Sequence, residues 1–120
     1  MSRYGESFRI IVKHPCVPMH DFTCDQVGLK FLQLLVGDGL IEAIRVAELG
    51  AAGIDLFVNE DGIANKLPPN IVLPDGRTLV GPIVFIGYNA DTGDSLSLTA
   101  NQAGLIDSWL NNCRHAQVLL

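Results

Sequence analysis

The run Leu79-Val80-Gly81-Pro82-Ile83-Val84-Phe85-Ile86-Gly87-Tyr88 constrains the fold most. Its β-branched and aromatic residues favour an extended chain. With Val84-Phe85-Ile86 as its buried centre, the run reads as one strand, and its backbone groups need partner strands. The rest of the chain offers them. Phe8–Lys13 is rich in β-branched residues and ends at a His14-Pro15 turn. Residues 40–46 give a second strand with imperfect alternation, and Ile54–Asn59 a third. The second and third form a hairpin across the small-residue turn at 50–53, which makes 79–88 the fourth strand.

Helical spacing occurs twice. Val27, Phe31, Leu34 and Leu35 lie on one stripe, widened by Leu32 and Val36. Thr23 or Asp25 is placed to cap the start of this helix, and Gly37-Asp38-Gly39 to stop it. The second helix spans Ala100–Asn112, capped by Thr99, with Ala103, Ile106, Trp109 and Leu110 facing inward. Pro15 and Pro18 keep the stretch after the first strand irregular. Pro68, Pro69 and Pro74 make a non-regular crossing with room for one helical turn at 70–73. The order of elements predicts an α+β fold: one small mixed or antiparallel sheet of about four strands, with two helices packed on one side of it.

A chain of 120 residues is expected to form a single domain over 1–120, with its core at 8–112 and a C-terminal tail at 113–120 that frays. At this length about two-thirds of the unfolded chain's surface can be buried, enough for a core without metal or disulfide staples. The net charge of −5 and the scatter of eight Lys and Arg residues argue against direct nucleic-acid binding, which needs a basic surface to displace counterions. No apolar run approaches the ~18 residues of a membrane span. The first residues lack a secretory leader, and the cysteines are odd in number: Cys16, Cys24 and Cys113. The expectation is reduced thiols in the cytoplasm of a bacterium or host cell.

Three groups of residues could carry chemistry. His14, Cys16, His20 and Cys24 fall within eleven residues, and all are zinc-ligand types. Their H-x-C-x3-H-x3-C spacing lacks a paired C-x2-C, so packing of the cysteines as small hydrophobes competes with metal binding. A histidine beside Cys16 or Cys113 could activate a thiol, although no nucleophile motif surrounds either. Asp55, Glu60 and Asp61 could pair as acids, but Asp61-Gly62 is equally an ordinary turn. Gly37-Asp38-Gly39 follows a helix and precedes a strand, the reverse of a phosphate-binding loop, and no cofactor motif is present.

Three ordered blocks resemble a known family. Leu32-Gln33-Leu34-Leu35-Val36-Gly37-Asp38-Gly39-Leu40-Ile41-Glu42 resembles the LQ-x-x-VGG-x-IE block of the family called domain of unknown function 3846, with Asp38 set between the glycines. Asn59-Glu60-Asp61-Gly62 followed by Leu67-Pro68-Pro69-Asn70 resembles its NE-x-G and LP-x-N block. The 79–87 run and Ser97-Leu98-Thr99 resemble its apolar strand and SLT helix start. The resemblance spans about residues 8–110 and implies a bacterial, phage or plasmid setting, with no activity or cofactor attached.

In the second block, Asn59 ends a strand, Gly62 permits a left-handed turn, and Asn70 can bond backbone across the prolyl crossing. Asn59, Glu60, Asp61 and Asn70 are the candidate residues for binding a ligand or partner. The expected function is that of a non-enzymatic accessory protein of a phage or mobile element. It would bind a protein partner or self-associate, with counter-defence as one use. The alternatives are a binder of a small nucleotide signal and a metal- or thiol-dependent enzyme.

Overall fold

The computed structural model describes residues 8–25 and 28–115. Nine strands and three helices follow in the order β1 (Phe8–Lys13), β2 (His20–Cys24), α1 (Leu29–Leu35), β3 (Ile41–Ile44), α2 (Ala47–Ala51), β4 (Ile54–Asn59), β5 (Pro69–Val72), β6 (Thr78–Val80), β7 (Ile83–Tyr88), β8 (Ser95–Leu96), α3 (Ala100–Asn112) and β9 (Arg114–His115). The fold is α+β, and every strand pair among the described residues is antiparallel. There are two sheets where one was expected. A six-stranded sheet runs β2-β1-β7-β4-β3, with β8 on β7, and a three-stranded sheet runs β6-β5-β9.

The 79–88 run divides between the two sheets. Gly81, at φ +72°, and Pro82 separate β6 from β7. A left-handed glycine followed by a residue with no N–H cannot continue a ladder. The run's apolar character continues on both sides of this break, because both halves are buried in the same core.

Alternation along the central strands feeds both faces of the large sheet. Ile11, Phe85, Leu56 and Ile44 form one cross-strand row. They join Ile71 and Leu79 of the small sheet and Ala103, Ile106, Trp109 and Leu110 of α3 in one core. Val12, Val84 and Phe57 occupy the opposite face, against Leu32, Leu35 and Val36 of the α1 segment. Helices therefore cover opposite faces, not one. This follows from the fully buried run 83–87, which leaves neither face of β7 to solvent.

Several local expectations are corrected. Thr23 lies in β2, paired with Arg9, and Gly28 takes the cap position of α1 without a side-chain bond. The Val27 position lies outside the described residues. The stretch after Pro18 is strand, because His20–Cys24 completes a hairpin with β1. Residues 70–72 lie in strand β5, and no helical turn forms at 70–73; Pro69 is the strand's first residue, where a missing N–H costs least. The short helix α2 takes up the first half of the expected turn at 50–53. Arg114 and His115 pair with Val72 and Ile71, while residues 116–120 lie outside the described residues.

Other readings stand. The β3–β4 hairpin forms as expected. Thr99 closes a capping box on α3: its hydroxyl accepts from the Gln102 amide, and Gln102 Oε1 accepts from the Thr99 N–H at 2.9 Å. Gly37 and Asp38, at φ +97° and +62°, stop α1 in the left-handed region.

Candidate functional site

Asn59 is the last residue of β4 and shares a face with Phe57, so its side chain meets the end of α1. Its Nδ2 donates to the carbonyls of Val36 and Asp38, both at 3.3 Å. Its Oδ1 accepts from the Asp61 amide at 2.8 Å, closing the turn that follows β4. The Glu60 amide donates to the Leu40 carbonyl at 2.8 Å. One buried amide side chain thus fastens the end of α1, the approach to β3 and the turn after β4. Glu60 and Asp61 are exposed on that turn.

Gly62 acts here by space, not by a left-handed backbone. A Cβ on it would stand 2.8 Å from Val80 Cγ2, so the turn can press against β6 only with glycine. Lys66 takes the positive φ of this segment, at +57°.

Asn70 lies in β5 and is 1% exposed. Its Nδ2 donates to the carbonyls of Lys13 and Gly81, both at 2.8 Å. Its Oδ1 accepts from Lys13 Nζ at 3.2 Å. Asn70 therefore ties β1 of the large sheet to β5 of the small one and to the β6–β7 break. Lys13 Nζ also donates to the His14 carbonyl at 2.6 Å. Burial pushes the Lys13 ammonium below its ordinary pKa. Lys13 was not singled out from the sequence. The signal was its parity with Ile11, which places it on the inward face of β1.

A family model described as "Domain of unknown function (DUF3846)" matches residues 9–111. The chain belongs to this family. No curated protein and no solved structure matches it. Within this DUF3846 domain, the three sequence blocks meet in space. The first is α1, its glycine stop and the start of β3, and the second is the Asn59 turn that clamps them. The third is β6–β7, which Asn70 holds through Gly81.

Among the described residues of this DUF3846 chain, His14, Cys16, His20 and Cys24 do not gather into a metal-holding group, although Cys16 and His115 border one cleft. His20 and Cys24 stand at opposite ends of β2, about 13 Å apart at the usual rise per residue. His20 packs against Phe22 instead, with ring centroids 5.4 Å apart. Among the described residues, no group of three or more His, Cys, Asp or Glu is placed to hold a metal ion. Burial pushes the Cys24 and Cys113 thiols up, and neighbouring Asp25 and Glu48 push them further. A nucleophilic thiolate needs the opposite shift. Burial also raises Asp55, against a smaller opposing effect of Arg45.

Two clefts flank the end of α3. One, of about 570 Å³, is bordered by Glu48, Val72, Trp109 and Arg114. There the Glu48 carboxylate already accepts from the Trp109 indole at 3.0 Å. The other, of about 580 Å³, is bordered by Lys13, residues 16–19, Asp107, Leu110, Asn111 and His115. Among the described residues, no helix is long and apolar enough to cross a membrane.

Proposed function

We propose that this DUF3846 domain is a non-enzymatic binding protein of a phage or other mobile element, acting by contact with a protein partner or a second copy of itself. Counter-defence, with a host protein as the partner, is one use of that contact. The supporting observation is the surface around the Asn59 junction. Strand β3 is an open edge of the large sheet, with β4 as its partner among the described residues. Such an edge presents unpaired N–H and C=O groups that a further strand can join. Leu34, Leu40 and Ile63 are 65%, 57% and 78% exposed. Single exposed apolar residues are ordinary. These three, however, are carried by α1, the approach to β3 and the turn after β4, the segments that Asn59 and the Leu40–Glu60 bond join.

The test is solution mass over a concentration series, together with capture from bacterial lysate, for the wild type and a Leu40→Asp/Ile63→Asp variant. Both side chains are exposed, so the variant should keep wild-type stability within about 0.5 kcal/mol. The wild type is expected to self-associate or retain a discrete partner. The variant is expected to lose that affinity by at least about tenfold, the scale of interface anchor residues. A wild type that stays monomeric and captures nothing contradicts the proposal, as does a variant that binds undiminished.

A further inference from the structure

Lys13 is the single charged residue that is fully buried among the described residues, at 3% exposure. Its ammonium has three N–H donors. Two are used, on the His14 carbonyl and Asn70 Oδ1. The third has no acceptor among the described residues, and the described ion pairs, Arg9–Asp21 and Arg77–Asp75, do not involve Lys13. Burying this charge is costly, with only a smaller opposing effect from Cys16 on the adjoining loop, and a buried ammonium gains most from an anionic partner.

Space for such a partner adjoins it. The cleft of about 580 Å³ that Lys13 borders lies between the β1–β2 loop, α3 and β9. That volume is in the range of small-molecule sites. Val17, Pro18, Met19 and Leu110 supply apolar surface, and Asn111 and His115 supply polar groups. The loop has a strained geometry: Cys16 sits at φ +65°, a region uncommon for residues with a Cβ. The bond from Lys13 Nζ to the His14 carbonyl ties the loop's first residue to the strand before it. Asp107, exposed at the cleft, disfavours negative charge on its side, so a ligand would carry its charge at the Lys13 end.

We propose that this cleft binds a small organic anion, whose carboxylate or phosphate oxygen accepts the remaining N–H of Lys13 while its apolar body lies against Val17, Pro18, Met19 and Leu110. The site is separate from the β3 edge, so failure of either reading leaves the other standing. Burial lowers the pKa of Lys13, and a bound anion would raise it again.

The experiment titrates isotope-labelled protein with sodium benzoate, phenyl phosphate and neutral benzamide, following the amide signals of Val17, Met19, Asn111 and His115. At least one anion is expected to shift these signals saturably and to bind about tenfold or more tighter than benzamide, as a charge-assisted hydrogen bond implies. Preference for benzoate assigns a carboxylate ligand, and preference for phenyl phosphate assigns a phosphate. Lys13→Met should abolish the preference for the anion. Asn111→Trp, at an exposed position, should fill the cleft and weaken binding without unfolding the chain. Benzamide binding as tightly as both anions would overturn the proposal, as would wild-type anion affinity in Lys13→Met. So would unchanged signals at about 20 mM of either anion, a concentration that detects even weak binding. If Lys13→Met fails to fold, undiminished affinity in Asn111→Trp overturns it.

Discussion

Asn70→Ala is expected to cost the fold about 3–5 kcal/mol. The substitution removes both donors from the buried Lys13 and Gly81 carbonyls and removes one of the two acceptors on the Lys13 ammonium. Each carbonyl left unpaired costs about 1–3 kcal/mol, and an under-partnered buried charge adds to that. Domains of this kind have about 5–15 kcal/mol in total, so the loss takes a large share of the stability. Urea unfolding should show a lower midpoint with an unchanged slope, because the exposed surface on unfolding stays the same. A loss below about 1 kcal/mol would mean that water reaches Lys13 and the two carbonyls freely, and that Asn70 does not join the sheets.

Phe85→Ala is the second large effect, again about 3–5 kcal/mol, now from lost burial and the cavity left behind. Phe85 is 0% exposed at the centre of β7, between Ile11 of β1 and Leu56 of β4. Its ring also meets Trp109 of α3 edge-on, with centroids 6.1 Å apart. The variant should therefore lose the near-ultraviolet circular dichroism of an immobilised Trp109 as well as stability. Unfolding by urea and that spectrum check the two effects separately. An unchanged tryptophan signal with a cost below about 1.5 kcal/mol would contradict the packing described.

These two residues were not equally readable from the sequence. Phe85 lies in an apolar run whose buried centre is visible locally. Asn70 follows two prolines and looks like a turn residue, yet it lies within β5, 57 residues from the lysine it binds. Local signals were read correctly where the physics is local. The Thr99 capping box and the inward stripe of α3 depend on residues within a few positions of one another. The β3–β4 pair joins strands that are neighbours in the chain, with only α2 and its flanking turns between them.

Most of the differences come from contacts at long range. Strand β2 is mostly polar, with His20, Asp21 and Thr23 exposed, so nothing in His20–Cys24 announces a strand until β1 is beside it. Arg114 and His115 are extended because β5 lies alongside. The division at Gly81-Pro82 carries the two strongest chain breakers, yet the apolar run continues across it because the residues on either side are buried in one core. Similarly, Gly62 announced a turn, but its reason is the nearness of Val80, which no local pattern encodes.

Of the candidate residues, Asn59 and Asn70 are clamps whose amides are spent on backbone and, for Asn70, on the Lys13 ammonium, while Glu60 and Asp61 remain at the surface. The binding proposal therefore moves from the asparagines to the apolar side chains and open edge they hold in place. Hydrogen exchange along β3 tests this most directly. If the β3 edge is the contact surface, amides of residues 40–44 in the self-associated or partner-bound wild type should exchange at least about tenfold more slowly than in the Leu40→Asp/Ile63→Asp variant, with β2 at the opposite edge unchanged. Equal exchange along β3 in the two proteins, or protection confined to β2, would contradict it.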